Sequence, residues 1–195
     1  MFARAGVVTA SEIDALVTPL WKVRSGDGVQ TYLYQKLAAR VMGYTGETGS
    51  TFAMDQGNII EKIAIPFWEA VHGPVQRVGL VTTDDGRCGC SPDALIGEDG
   101  GLEIKGPQAP KHLQYLLAGE LPPQYRPQVQ FSLWVTRRAY WQFMSFSVHL
   151  PPLIVRVEPD EKAFAAFDEA TGDFLAELDK AEAKVRGMMQ QGGRA

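Results

Sequence analysis

The chain has 195 residues, 45% of them hydrophobic and 22% charged, with a formal net charge of -4. That is enough apolar material for one good core, and no linker rich in Pro, Gly, Ser or charge divides it, so a single domain spanning residues 1–195 is expected. The acidic balance argues against a protein that coats DNA over its whole surface; with no long apolar run and no basic-then-apolar leader, neither a membrane span nor export is expected, and the cytoplasm is the default location.

Thr9-Ala-Ser-Glu12 has the form of a capping box opening a short helix. Val29 to Val41 carries apolar residues at helical spacing before Gly43, and Ala53 to His72 reads as an amphipathic helix that contains Glu61, kinks at Pro66 and stops at Gly73. Val75 to Thr82, Arg87 to Cys90, Asp93 to Ile96 and Leu102 to Ile104 read as consecutive strands with Asp-Gly turns between them. Pro107 and Pro110 introduce a helix from Lys111 to Leu117, the Pro122-Pro123 pair breaks the chain, and Gln124 to Val135 resumes as a helix with Pro127 in its first turn. Ala139 to Val148 and Ile154 to Val157 read as strands, and an amphipathic helix from about Asp160 to Met188 precedes a frayed Gly192-Gly-Arg-Ala end. The expected class is α/β, a central mixed β-sheet flanked by helices.

The stretch Ser91-Pro-Asp-Ala-Leu-Ile-Gly-Glu-Asp-Gly-Gly-Leu-Glu-Ile-Lys105 carries the chemistry. It puts Asp93, Glu103 and Lys105 on two short strands joined by a Gly-rich turn. At a period of two, Glu103 and Lys105 project from one face while Ile104 points to the core and offers its backbone carbonyl. With Asp93 from the paired strand, two carboxylates and that carbonyl make a hard-oxygen set suited to Mg2+ or Mn2+, with places left for water and a phosphate oxygen. A phosphodiester is already anionic, so its hydrolysis needs a cation to neutralise the non-bridging oxygen and to lower the pKa of the attacking water. Lys105 would either finish the deprotonation of that water, if its own pKa is depressed, or hold it in line. The same pattern also fits a plain hairpin in which Asp93 starts a turn and Glu103 and Lys105 form a solvated pair. By itself Glu61 reads as a helix acid paired with Lys62 or another base, and Gln128 and Gln130 as a polar helix flank, too close in sequence to face one metal together.

These residues resemble a family. Ser91-Pro-Asp-Ala-Leu95, the Gly-rich turn, Leu102-Glu-Ile-Lys105 and the following Gly106-Pro107 are similar to the active-site hairpin of the lambda exonuclease (YqaJ-like viral recombinase) nucleases, within the PD-(D/E)xK superfamily. Arg4-Ala-Gly-Val-Val-Thr-Ala-Ser11 resembles the family's N-terminal phosphate-binding motif, and Gly57-Asn-Ile-Ile-Glu61 its helical Gly-x-x-x-Glu motif. Gln128 to Thr136 resembles the post-hairpin helix, and Glu158 to Asp168 the start of the last helix. The family's longer N-terminal lead, with an aromatic residue near the DNA end, has no counterpart beyond Phe2, and the segment between Lys105 and Gln128 is shorter.

The resemblance implies a PD-(D/E)xK nuclease core in which Asp93 and Glu103 are metal ligands, Lys105 activates or positions water, Glu61 is an outer or additional ligand, and Gln128 is a polar helper. It implies that Arg4, Ser11 and Ser91 hold the terminal 5′ phosphate and that Arg24, in an Arg-Ser-Gly loop, approaches DNA. The activity implied is Mg2+-dependent 5′-to-3′ digestion of the phosphorylated strand at double-stranded DNA ends, leaving a 3′ single strand. A toroidal homotrimer working with a single-strand annealing protein in phage or prophage recombination is implied as well. An endonuclease of the same superfamily would share the hairpin without Arg4 and Ser11, and an inactive DNA-binding relative would be expected to lack Asp93, Glu103 or Lys105.

Cys88 and Cys90 lack CxxC spacing, and with only three His in the chain they read as small buried residues. Phe131, Trp134, Phe164, Phe167 and Phe174 recur at helical spacing and read as core. Trp21 and Tyr32, in the irregular N-terminal region, are the better candidates for exposed DNA contacts. Arg4, Arg24, Lys36, Arg40, Arg137 and Arg138 are available to line one basic face.

Overall fold

A short strand, β1 (Val8–Thr9), begins the described chain and runs directly into a 3-10 helix, Ala10–Ala15. The computed structural model describes residues 6–43 and 52–192. Helices α1 (Asp27–Met42) and α2 (Phe52–His72) follow, then β2 (Val81–Thr82), β3 (Cys88–Cys90), β4 (Ala94–Ile96) and β5 (Gly100–Lys105). After α3 (Ala109–Ala118) and α4 (Arg126–Thr136) come β6 (Tyr140–Ser147), β7 (Leu150–Val157) and the long α5 (Glu161–Gly192). None of the described helices is long and apolar enough to cross a membrane.

The strands form two mixed sheets flanked by helices. One has the order β1-β3-β2, with β1 parallel and β2 antiparallel to β3; the other has the order β4-β5-β6-β7, with only the β5-β6 pair parallel. A parallel pair cannot be joined by a tight turn, so the chain leaves β5 and returns through α3 and α4 before entering β6. Leu102 and Ile104 of β5 and Met144 and Phe146 of β6 face α2, where they meet Ala64, Ile65 and Trp68. Trp141 and Phe143 lie on the opposite face, under Val129 and Leu133 of α4. A larger core joins Ile13, Leu16, Tyr32, Phe131, Phe167, Phe174 and Leu178 between the 3-10 helix, α1, α4 and α5.

Gly106 decides how α2 meets the hairpin. A side chain there would stand 2.6 Å from Ile60, so the missing Cβ lets α2 close on the end of β5 and brings the next residue, Glu61, to the site.

Several expectations are corrected. Val75 to Thr82 is not one strand: Gln76 bridges to Leu95 at the edge of β4 while Val81 and Thr82 pair with β3, so the segment crosses from one sheet to the other and no single ladder can hold it. β7 starts at Leu150, earlier than predicted, because it pairs only with β6 and an edge strand tolerates Pro151 and Pro152. The segment after Thr9 is a 3-10 helix with no side-chain cap; the Thr9 hydroxyl bonds the Glu12 carboxylate at 2.5 Å, and Glu12 is drawn to Lys36 instead of its own backbone.

Tyr32 is not a DNA contact: it is buried and stacked on Phe174 at 5.1 Å. Trp21 is half-buried, with its indole N–H on Asp160 and its ring against the edge of Phe167. Phe131, Trp134, Phe167 and Phe174 are core, with Phe164 packed against it. Both cysteines are buried, which pushes their thiols up to about 12 and keeps them protonated.

Candidate active site

The β4-β5 register pairs Ala94 with Leu102, Leu95 with Gly101 and Ile96 with Gly100. One residue before β4, the Asp93 N–H donates to the Leu102 carbonyl at 3.1 Å, and its Oδ2 accepts the Ile104 N–H at 2.5 Å. Asp93 is thereby held across β5 beside Glu103. Glu103 is buried, and its Oε1 accepts both Lys105 Nζ at 2.7 Å and Gln128 Nε2 at 2.6 Å. Period-two alternation puts the two β5 side chains together, and α4, packed on that face, supplies Gln128. Gln130 faces elsewhere: it donates to the Glu158 carbonyl at 2.8 Å and accepts the Asp160 N–H at 3.0 Å, fixing the entry to α5.

Glu61 reaches the cluster from α2. It lies close enough to Asp93 to raise that carboxyl, and Arg77 donates to its Oε2 at 2.8 Å. Its base is therefore Arg77, not the neighbouring Lys62.

Two carboxyl groups, those of Asp93 and Glu103, thus face one lysine, with Glu61 acting on Asp93 from the α2 side. Loss of water contact, then the negative charge of Glu103 and the nearness of Glu61, hold the Asp93 carboxyl well above its ordinary value of 3.8, against the opposing pull of the Ile104 N–H. For Lys105, burial works downward, but the charge and hydrogen bond of Glu103, helped by Asp93, outweigh it and the net shift is upward. With no cation on those carboxylates, Lys105 is therefore held as an ammonium, suited to donate and to orient. Its Nζ also lies 5.4 Å from the centroid of the Tyr125 ring, which stacks on Phe143 at 5.2 Å.

Crowded acids of this kind fit a hard divalent cation, which would relieve their mutual repulsion. Among the described residues no three His, Cys, Asp or Glu side chains form a metal cage by themselves. The oxygens on offer are those of Asp93 and Glu103, with Glu61 alongside, and backbone carbonyl and water would have to complete the shell.

Ser11 and Ser91 are both exposed. The parallel β1-β3 pair ends with Thr9 opposite Gly89, so each serine leaves the sheet two residues beyond that pair, at the same end, and Asp93 follows Ser91 by two residues. The Ser11 hydroxyl lies 3.3 Å from that of Thr9. Arg4 lies outside the described residues. Arg24 is exposed, its backbone N–H tied to the Leu16 carbonyl at 2.7 Å.

The other proposed basic-face residues have structural partners. Lys36 is buried on Glu12 at 2.7 Å, Arg40 pairs with Asp179 at 2.8 Å, and Arg137 lies over Trp134 at 5.4 Å. Arg138 donates to the carbonyls of Gly97 and Gly100, each at 2.9 Å, and so clamps the turn between β4 and β5. Arg77 and Tyr125 went unnoticed in the sequence, and Arg138 was read there only as a basic-face residue, not as a clamp on the turn. Tyr125 had a local signal, one helical turn before Gln128; Arg77 and Arg138 had none, because their partners lie far along the chain.

Crystal structures of LHK-Exo, an alkaline exonuclease from Laribacter hongkongensis, one of them in complex with dAMP, match this fold with a TM-score of 0.84 and 28% identity, over 97% of this chain and 96% of that one. A phage-related exonuclease from Haemophilus somnus 129PT shares the fold with a TM-score of 0.69 at 14% identity, over 92% of this chain and 96% of that one. The ExoD protein of Escherichia coli strain K12 is 36% identical over 64 residues, 31% of this chain and 74% of that protein. The model of the YqaJ-like viral recombinase domain matches residues 1–139, a span that holds Glu61, the whole β4-β5 hairpin and Gln128, and the chain belongs to that family.

Proposed function

We propose that the chain is a Mg2+-dependent 5′-to-3′ exonuclease, with Mn2+ able to substitute, that digests the 5′-phosphorylated strand at double-stranded DNA ends and leaves a 3′ single strand. Family membership and the likeness to LHK-Exo support the coarser part, a nuclease. The observation that carries the chemistry is the meeting of Asp93, Glu103 and Lys105 on one hairpin, with Glu61 and Gln128 brought to it by two different helices.

Asp93, Glu103 and the Ile104 carbonyl would hold the cation, which when bound neutralises a phosphate oxygen and lowers the pKa of an attacking water. Gln128 holds the Glu103 carboxylate through Oε1, and the other oxygen would be available to the cation. Lys105, as an ammonium, donates to the water and orients it. Glu61 would serve as an outer ligand, acting through Asp93.

Arg4, Ser11 and Ser91 would bind the terminal 5′ phosphate, and Arg24 would meet the duplex further out. In this reading three copies close a ring around the DNA and work with a single-strand annealing protein in phage or prophage recombination. Light scattering should then return about 64 kDa, three times the 21.4 kDa chain.

The deciding experiment is digestion of linear duplexes labelled at either end, with and without a 5′ phosphate, beside a closed circular duplex. Loss of the 5′ label first, faster digestion of phosphorylated ends and an intact circle are expected. Cleavage of the circle would replace the exonuclease with an endonuclease.

A further inference from the structure

The backbone beside Arg77 is fixed to the catalytic hairpin. Gln76 and Leu95 exchange both backbone hydrogen bonds at 2.8 Å, an antiparallel bridge on the edge of β4, and Arg77 lies one residue past it. Its Nη2 donates to Glu61 Oε2 at 2.8 Å, and Glu61 in turn lies near enough to Asp93 to raise its carboxyl. The Arg77 side chain is 58% exposed and that of Glu61 26%. A pair this open adds little to stability, so holding the fold together is a weak reason for it.

The guanidinium instead stands at the rim of the site, one carboxylate away from a proposed cation ligand. It carries five N–H donors in a planar fork whose geometry matches phosphate, on a side chain that is more than half exposed. A divalent cation seated on Asp93 and Glu103 would draw on the same negative charge, Glu61 included, and weaken the hold of Glu61 on Arg77.

Resting on the nuclease reading above, we propose that Arg77 is a positioning residue for DNA: it neutralises Glu61 while no cation is bound and passes to a backbone phosphate of the substrate once a divalent cation compensates the carboxylates. Loading of the cation is thereby coupled to the seating of the strand.

The test measures binding, not turnover. In a Lys105→Ala background, which limits digestion, the affinity for a 5′-phosphorylated duplex is followed by fluorescence anisotropy over a range of salt, in Mg2+ and in EDTA. In Mg2+, adding Arg77→Ala should lower the slope of log affinity against log salt by about one unit, the signature of one lost phosphate contact. Affinity should fall by about tenfold, as for one charge-assisted bond. In EDTA the slopes with and without Arg77→Ala should coincide.

Calorimetric titration of Mg2+ without DNA should show Arg77→Ala binding the ion severalfold more tightly, since its competitor for Glu61 is gone. Arg77→Gln should follow Arg77→Ala in both measurements and replaces it if thermal melting shows Arg77→Ala to be unfolded. Equal slopes in Mg2+ overturn the phosphate contact, and weaker Mg2+ binding without the guanidinium overturns the hand-over. Should the parent chain fail to digest DNA, the nuclease reading falls; if it digests DNA and the slopes are equal, only the role of Arg77 falls.

Discussion

Two Lys-Glu pairs, each at 2.7 Å, sit in different parts of the molecule, and only one belongs to a site. In the first, the Lys36 side chain is 10% exposed and that of Glu12 42%; in the second, Lys105 is 28% exposed and Glu103 5%. The first buries its base and lets its acid reach water, with the Thr9 and Tyr32 hydroxyls completing the contacts of Glu12. The second buries its acid beside Asp93, with Glu61 close enough to act on Asp93, and leaves its base partly open to solvent. A buried ion pair by itself therefore says little about function. What sets the proposed active site apart is negative charge in excess of the cations that face it, together with a lysine still accessible to a substrate.

The sharpest way to break that comparison is to remove the excess charge. Asp93→Asn or Glu103→Gln should lower DNA cleavage at least about a hundredfold while circular dichroism shows the fold retained. Lys105→Ala should fall by a similar factor, on the order of a hundredfold, and extra Mg2+ should not rescue it. Cleavage by Lys105→Ala near the parent rate would remove the ammonium from the mechanism, and full activity in excess EDTA would remove the metal.

At the other pair the effects should appear in stability. Glu12→Ala leaves the buried Lys36 without its partner and should cost about 3 kcal/mol in urea denaturation. Lys36→Met keeps the buried stem and leaves Glu12 to water, so about 1 kcal/mol is expected, with DNA digestion close to the parent. Equal costs for the two variants would contradict the asymmetry in exposure.

The carboxylates recognise no particular DNA end, so the proposed end selection is assigned to the N-terminal motif. Arg4→Ala should erase most of a roughly tenfold to hundredfold preference for 5′-phosphoryl over 5′-hydroxyl ends, measured as relative digestion rates. A parent enzyme that digests both ends equally would take Arg4 out of the assignment.

The smallest effect expected is on the pH dependence of folding. Asp93 is an acid whose folded pKa is raised, so its contribution to stability is complete below its ordinary value of 3.8 and is lost as pH rises through the folded value. Melting in EDTA should show that loss on going from acid toward neutral pH, and Asp93→Asn should reduce it. Mg2+ should offset it by compensating the ionised carboxyl. A melting profile unchanged by Asp93→Asn would mean that Asp93 is not the group responsible.

How much of this was legible in advance follows the range of the interactions. Alternation along β5 is a local property, so the shared face of Glu103 and Lys105 could be read directly from Glu103-Ile-Lys105. The Gly-rich turn likewise announced that Asp93 would return beside them. The period of α2 located Glu61 on a helix, and the order of motifs along the chain matched a family now supported over residues 1–139.

Tertiary structure alone decided which charges are committed elsewhere. Arg40 was available for a basic face until Asp179, 139 positions away, claimed it, and Lys36 was available until it closed on Glu12. The protonation of Lys105 was equally undetermined, because burial and neighbouring charge act on it in opposite directions and only the packed geometry says which wins. Arg77 carried no pattern at all; its place at the rim of the site depends on Gln76 bridging to Leu95 and on α2 closing over Gly106. Periodicity fixes the face a side chain takes on its own element, whereas electrostatics falls off with distance in space and is indifferent to distance along the chain.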